Sequence, residues 1–332
     1  LPEGDAADVL GEATELPLPP LLEPRAEFDG YKIIRQLHAS HRSHIYLATD
    51  LETEETITLK IPSIDLRSEQ TFLKHFMMEE WIARRLNSPH VLKAHQPKRK
   101  RNYLYVTTEF VEGQTLTQWM IDNPTPKLEQ VRDIIEQIAI GLRAFHRMEM
   151  LHQDLRPENI MIDSKGTAKI IDLGSTRVAG VVETAPNLDN DEILGTIQYS
   201  APEYFTGEIG TPRSDQFSLG VIAYQMFTGK LPYGREVSKV RTKSDQRQLR
   251  YIPARETVPE LPIWIDATLK KSVHPDPWSR YEALSEFIYD LRNPNKNFLA
   301  TSHTSLKERN PLLFWKGLSF ILFCIIIVLL II

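Results

Sequence analysis

Between Leu37 and Asp50 the chain reads LHASHRSHIYLATD, and TLKIP follows at 58–62 with a lysine at Lys60. β-Branched and aromatic residues on both sides of HASHRS predict two strands joined by a tight loop. This is where a loop for nucleotide phosphates would sit. Such loops are normally rich in glycine, which lets backbone N–H groups come close to the anion and tolerates positive φ. No glycine occurs between Leu37 and Asp50. The loop offers instead the hydroxyls of Ser40 and Ser43, the guanidinium of Arg42, and His38, His41 and His44, cationic when protonated. Three histidines also raise the idea of zinc, but their spacing on a hairpin does not bring them to one face.

The elements that must position this hairpin follow from the pattern around it. From Tyr31 to about Lys98 the runs YKIIRQL, HIYLATD and ETITLKIP suggest an antiparallel meander, interrupted by one helix, TFLKHFMMEEWIARRL. A further strand, YLYVTTEFV, ends at Glu112-Gly113. From about Thr115 the pattern turns helical, with Val131, Ile134, Ile135, Ile138, Leu142 and Phe145 forming one apolar stripe. The order predicts an α+β architecture, a small, mostly β N-lobe before a larger, mostly α C-lobe. No repeat of 20–50 residues is visible, which argues against a solenoid.

The 332 residues carry a net charge of -5, but residues 1–29 hold eight acids and one base, so the remainder is about +2. That balance offers no case for nucleic acid as the main partner. The first 29 residues also contain five prolines and are expected to form an acidic, extended linker that buries little. The single cysteine, Cys324, allows no intramolecular disulfide and agrees with a reducing compartment. Residues 312–332 are apolar except for Lys316, and 21 residues of helix span roughly 30 Å, about one hydrocarbon core. A transmembrane helix is expected there, preceded by a juxtamembrane linker over 295–311. Lys307, Arg309 and Lys316 before the span predict that the main domain, over 30–294, is cytoplasmic. The expected location is the inner (cytoplasmic) membrane, crossed once.

HQDLRPENIMID at 152–163 and KIIDLGS at 169–175 resemble the catalytic loop and metal-binding motif of the protein kinase family. TLKIP resembles its lysine strand and Glu79 its helix glutamate; GTIQYSAPE, SDQFSLG and DPWSRY match further family segments in order. A lone Asp-Leu or Glu-Asn would be a solvated turn. Here the intervals of five residues from Asp154 to Asn159 and thirteen from Asn159 to Asp172 are those of the family. The resemblance, over about residues 31–292, implies a bilobal kinase fold that uses ATP and Mg²⁺ (or Mn²⁺) on protein substrates. It implies that Asp154 orients the substrate hydroxyl and accepts its proton, and that Asn159 and Asp172 bind the metal. Lys60, held by Glu79, would hold the α- and β-phosphates, and Arg156 would stand near the transferred phosphate. Thr108, Glu109 and Val111 would form the segment that hydrogen-bonds adenine, with Thr108 deepest. Ile45, Thr58 and Met161 would line the ring's faces, and Ser40 and Ser43 would meet the phosphates.

Three departures from the family pattern bear on activity. His38, Ser40 and Ser43 stand at the glycine positions, Leu173 replaces the phenylalanine after Asp172, and Gln153 replaces the arginine before Asp154. Without that arginine, switching by phosphorylation of the activation segment is not expected. APEY and Thr196 resemble the serine/threonine branch. The loop sequence, EEWIARRL, HQDLRPENI and ERNPLLFWK before the apolar tail also resemble the kinase half of bacterial bifunctional kinase–phosphatase proteins. That resemblance implies a Ser/Thr phosphatase domain upstream. A nucleotide-binding pseudokinase or scaffold with an altered phosphate loop is the competing reading. A plain membrane-tethered interaction domain is disfavoured because the metal-binding residues are intact.

Overall fold

The structure, a computed structural model, describes residues 15–66, 69–178, 197–300, 315–316 and 319. The N-lobe is a five-stranded antiparallel sheet in the order β1 (Glu27–Phe28), β2 (Tyr31–Ala39), β3 (Ser43–Asp50), β4 (Thr56–Pro62) and β5 (Val106–Glu109). The helix α1 (Gln70–Arg85) lies between β4 and β5 in the chain and packs on β5. The strand expected over YLYVTTEFV is shorter than its apolar run, because only Val106–Glu109 finds a partner in β4. Strand β2 slips register twice against β3, between Ile33 and Arg35 and between Gln36 and His38. An alternation rule applied to the sequence alone does not anticipate such bulges.

Alternation in the rest of the sheet sorts its two faces. Tyr31, Ile33, Tyr46, Ala48, Ile57, Leu59, Ile61 and Tyr105 are buried together on one face. Ile45 and Lys60 pair across β3 and β4, and Thr58 pairs with Thr108 on β5, so these half-buried residues line the other face.

The C-lobe is helical. The short strand β6 (Gly113–Thr115) leads into helices α2 (Leu116–Asp122) and α3 (Leu128–Arg147), and it forms one sheet with the later strands β8 (Ile160–Asp163) and β9 (Ala168–Ile170). The strands β7 (Met150–Leu151) and β10 (Arg177–Val178) pair separately. Helices α4 (Pro212–Thr228), α5 (Lys243–Gln248), α6 (Ile263–Ser272), α7 (Leu284–Arg292) and α8 (Lys296–Ala300) complete the lobe. The predicted stripe on α3 is buried from Val131 to Phe145. Helix α4 starts on a Thr211 cap with Pro212 at its first position and ends on Gly229 at φ 66°, a left-handed stop that favours glycine. It is buried on every side and so carries polar Ser214, Asp215 and Gln216 into the interior.

Two expectations concern the ends of the chain. The proline-rich segment packs more closely than a linker that buries little: Leu22 is buried with the sheet, and Leu16 and Leu18 pack against the cluster that α1 shares with Leu104 and Val106. Its leucines, spaced between prolines, supply the apolar area that its charge count hides. The expected membrane span at 312–332 lies outside the described residues apart from 315, 316 and 319. Among the described residues, no helix is long and apolar enough to cross a membrane.

Candidate active site

Lys60 reaches from β4 to α1, where its Nζ donates to Glu79 Oε1 at 2.7 Å and Oε2 at 2.8 Å. Burial opposes the lysine charge, but Glu79 and Asp172 outweigh it and raise the Lys60 pKa. Gly174 lies where a Cβ would come within 2.7 Å of Glu79 Oε1 and 3.3 Å of Asp172 Oδ1. The glycine therefore allows the Lys60–Glu79 pair and the Asp172 carboxylate to share one small space. Asp172 Oδ1 accepts from the Gly174 N–H at 3.0 Å. Burial pushes its carboxyl up, but Lys60 and this hydrogen bond bring the pKa below the ordinary value. Leu173 is buried in the C-lobe core, so leucine does serve the packing at that position.

The catalytic-loop motif is wired to α4. Gln153 has a φ of 67°, a conformation that costs a non-glycine residue energy and persists only where its surroundings fix it. Asp215 supplies that fixing: its carboxylate accepts from the His152 and Gln153 N–H groups at 3.0 Å each and from His146 Nε2 at 2.9 Å. His152 Nε2 donates to the Asp172 carbonyl at 2.6 Å, joining the two motifs. Asn159 Nδ2 donates to the Asp154 carbonyl at 2.9 Å and to its Oδ2 at 3.1 Å. Arg156 Nε lies 3.7 Å from that same Oδ2. Burial raises the Asp154 carboxyl to about 7 even with Arg156 beside it, a value suited to a base working near neutrality.

The segment between the lobes is pinned by its side chains. Glu109 Oε1 accepts from Lys169 Nζ at 2.7 Å and from the Lys93 N–H at 3.0 Å. Thr108 and Val111 are half-buried, as is Met161, paired with Thr115 across β6 and β8.

The loop without glycine folds on itself. Ser40 N–H donates to the Ser43 carbonyl at 3.0 Å, and Ser40 Oγ accepts from the N–H groups of Arg42 (3.2 Å) and Ser43 (3.1 Å). No residue from His38 to His44 has positive φ. The turn therefore needs no glycine, and two of its amides already bind the Ser40 hydroxyl. Ser43 is itself buried. His38 and His41 are exposed, and His44 Nδ1 lies 3.3 Å from Gln36 Nε2. Among the described residues, no three His, Cys, Asp or Glu side chains gather to hold a metal.

Glu203 and Arg280 join two further expected motifs by a fully buried fork, with Arg280 Nη1 and Nη2 donating to the two Glu203 oxygens at 2.8 and 2.7 Å. Thr196 lies outside the described residues. Of the residues expected from the sequence, Lys60 and Glu79 stand beside Asp172, and Asp154, Arg156 and Asn159 are linked within one loop. His146, His152 and Lys169 support them without having been among the expected site residues. An aspartate inside the apolar run of α4 was the available signal for the first two.

Residues 31–297 match the protein kinase domain family. The serine/threonine-protein kinase PrkC of Bacillus subtilis is 26% identical over 262 residues, covering 79% of this chain and 40% of that protein. PknA of Corynebacterium glutamicum, named with the serine/threonine-protein kinases, is 27% identical over 278 residues, covering 81% of this chain and 55% of that protein. This chain thus spans about half the length of these curated relatives or less. The PknI kinase domain of Mycobacterium tuberculosis superposes with a TM-score of 0.61 at 24% identity, covering 82% of this chain and 99% of that one.

Proposed function

This chain belongs to the protein kinase domain family, and on that premise we propose that it transfers the γ-phosphoryl group of ATP to serine or threonine hydroxyls of proteins. One observation carries the reading: the Lys60–Glu79 fork stands beside the Asp172 carboxylate, as phosphate binding next to a metal ligand requires. A remnant site would have little reason to keep both charges desolvated together.

The residues fit the metal that this family uses. Asn159 spends its amide nitrogen on Asp154, which leaves its oxygen as a donor, and Asp172 adds a carboxylate. Both are the hard oxygens that Mg²⁺ or Mn²⁺ prefers, with phosphates and water to complete the shell. When bound, the cation supplies charge neutralisation on the phosphates. Lys60 holds the α- and β-phosphates, and Asp154 orients the acceptor hydroxyl and takes its proton. Arg156 meets the charge of the transferred group with a guanidinium that is always protonated. Ile45, Thr58 and Met161 enclose the adenine, and the backbone of Thr108, Glu109 and Val111 reads its edge. The Glu109 side chain is occupied by Lys169 and does not take part.

The apolar stretch 312–332 supports a second part of the proposal, a single C-terminal anchor that holds the kinase domain on the cytoplasmic face of the inner membrane. The resemblance to bifunctional proteins supports an upstream phosphatase domain that opposes the kinase. Transfer of labelled γ-phosphoryl to a generic protein substrate tests the activity. Wild type should phosphorylate serine or threonine in the presence of Mg²⁺ or Mn²⁺, and Asp154→Asn should not. ATP binding without transfer by wild type would favour a pseudokinase scaffold.

A further inference from the structure

We propose that residues 16–22 form a strap that positions α1, making Leu16 and Leu18 positioning residues for phosphoryl transfer; this rests on the kinase reading. Helix α1 carries Glu79 and is held from two sides. Met78, Trp81, Ile82 and Ala83 pack into the large C-lobe core. Among the described residues, Leu73, Phe76 and Met77 join Leu104 and Val106 in a small separate cluster. Leu16, Leu18 and Phe72 are the partly buried side chains that cover it. In so small a cluster, each covering side chain is a large share of the apolar contact.

The strap is fixed at two points. The Pro17 carbonyl accepts from the Leu104 N–H at 3.0 Å, and the Leu22 N–H donates to Tyr46 Oη at 3.3 Å. Between these points lie Pro19, which is buried, and Pro20. Their restricted backbone lowers the entropy lost when the segment is ordered. Helix α1 has no side-chain cap at its N-terminal end, so tertiary contacts must hold that end. The path to the site is short. Phe76 belongs to the covered cluster, the Lys60 Nζ lies 5.7 Å from its ring, and Glu79 follows three residues later on the same helix. Loosening the cover frees the end of α1 and with it the Glu79 carboxylate that holds Lys60.

Leu16→Ser/Leu18→Ser in the full chain tests the strap by two measurements. Amide hydrogen exchange in α1 should quicken about tenfold while α3 keeps its protection. In transfer assays the same substitutions should lower kcat about tenfold with little change in the KM for protein substrate. In a Glu79→Gln background they should cost less than about twofold further, because the pair through which they act is already broken. Leu16→Met/Leu18→Met should restore both readouts. Unchanged exchange in α1 overturns the strap, and so do losses that multiply fully in the Glu79→Gln background. Absence of transfer by wild type overturns the kinase reading instead and leaves the exchange measurement to decide the strap.

Discussion

Replacing Asp154 by asparagine should make the protein more stable at neutral pH while it abolishes transfer. Burial moves the Asp154 carboxyl from its ordinary 3.8 to about 7. Disfavouring the charged form to that extent corresponds to roughly 4 kcal/mol at pH 8. The folded chain binds this proton more tightly than the unfolded chain does. The group therefore subtracts stability progressively as pH rises from about 4 to about 7, and the full cost is present above that. Asparagine removes the charge and keeps an oxygen to accept from Asn159 Nδ2, but it leaves Arg156 without the carboxylate 3.7 Å away. The net gain at pH 8 should then be about 1–3 kcal/mol, and it should shrink by roughly 2–3 kcal/mol between pH 8 and pH 5. Urea unfolding of wild type and variant at the two pH values measures both quantities. A variant that is less stable than wild type at pH 8, or a gain independent of pH, would refute the argument that Asp154 is held in a desolvated, strained charge state.

Other consequences follow from the same geometry. Arg280→Met leaves the Glu203 carboxylate buried with the Ser214 hydroxyl at 2.7 Å but no cation, and should cost about 3–5 kcal/mol in urea unfolding. Asp172→Asn should weaken both ATP binding and transfer in titration and rate assays, whereas Asp154→Asn should leave ATP binding within several-fold. Deleting 312–332 should move the protein from the membrane fraction to the soluble fraction with nucleotide binding unchanged. A deletion variant that stays membrane-bound would remove the anchor from the proposal.

Much of this architecture was legible because it rests on local patterns. The stripe on α3 and the spacing of Asp154, Asn159 and Asp172 depend on neighbours in the chain, and both lobes follow from the switch between alternating and helical periods. What escaped is carried by partners far apart in sequence. His146 meets Asp215 across 69 positions and Lys169 meets Glu109 across 60, and no local rule pairs them. The hairpin loop illustrates a different limit. Its residue types raise the question of how phosphate is bound, but the folded turn is needed to show that the Ser40 hydroxyl takes the amides of Arg42 and Ser43. The proline-rich segment misleads through composition, since its charge and prolines hide leucines that cover the cluster between α1 and β5.

Single-turnover phosphorylation by wild type, Ser40→Gly/Ser43→Gly and Lys60→Met in one buffer tests the central claim most directly. With two loop amides bound to Ser40 Oγ, the phosphates must be held mainly by Lys60, Arg156 and the metal. The double-glycine variant should therefore transfer at a rate within about tenfold of wild type, roughly 1.4 kcal/mol, while Lys60→Met should lose far more. A wild type that transfers nothing, beside a double-glycine variant that does, would contradict the account and mark the loop as a disabled remnant.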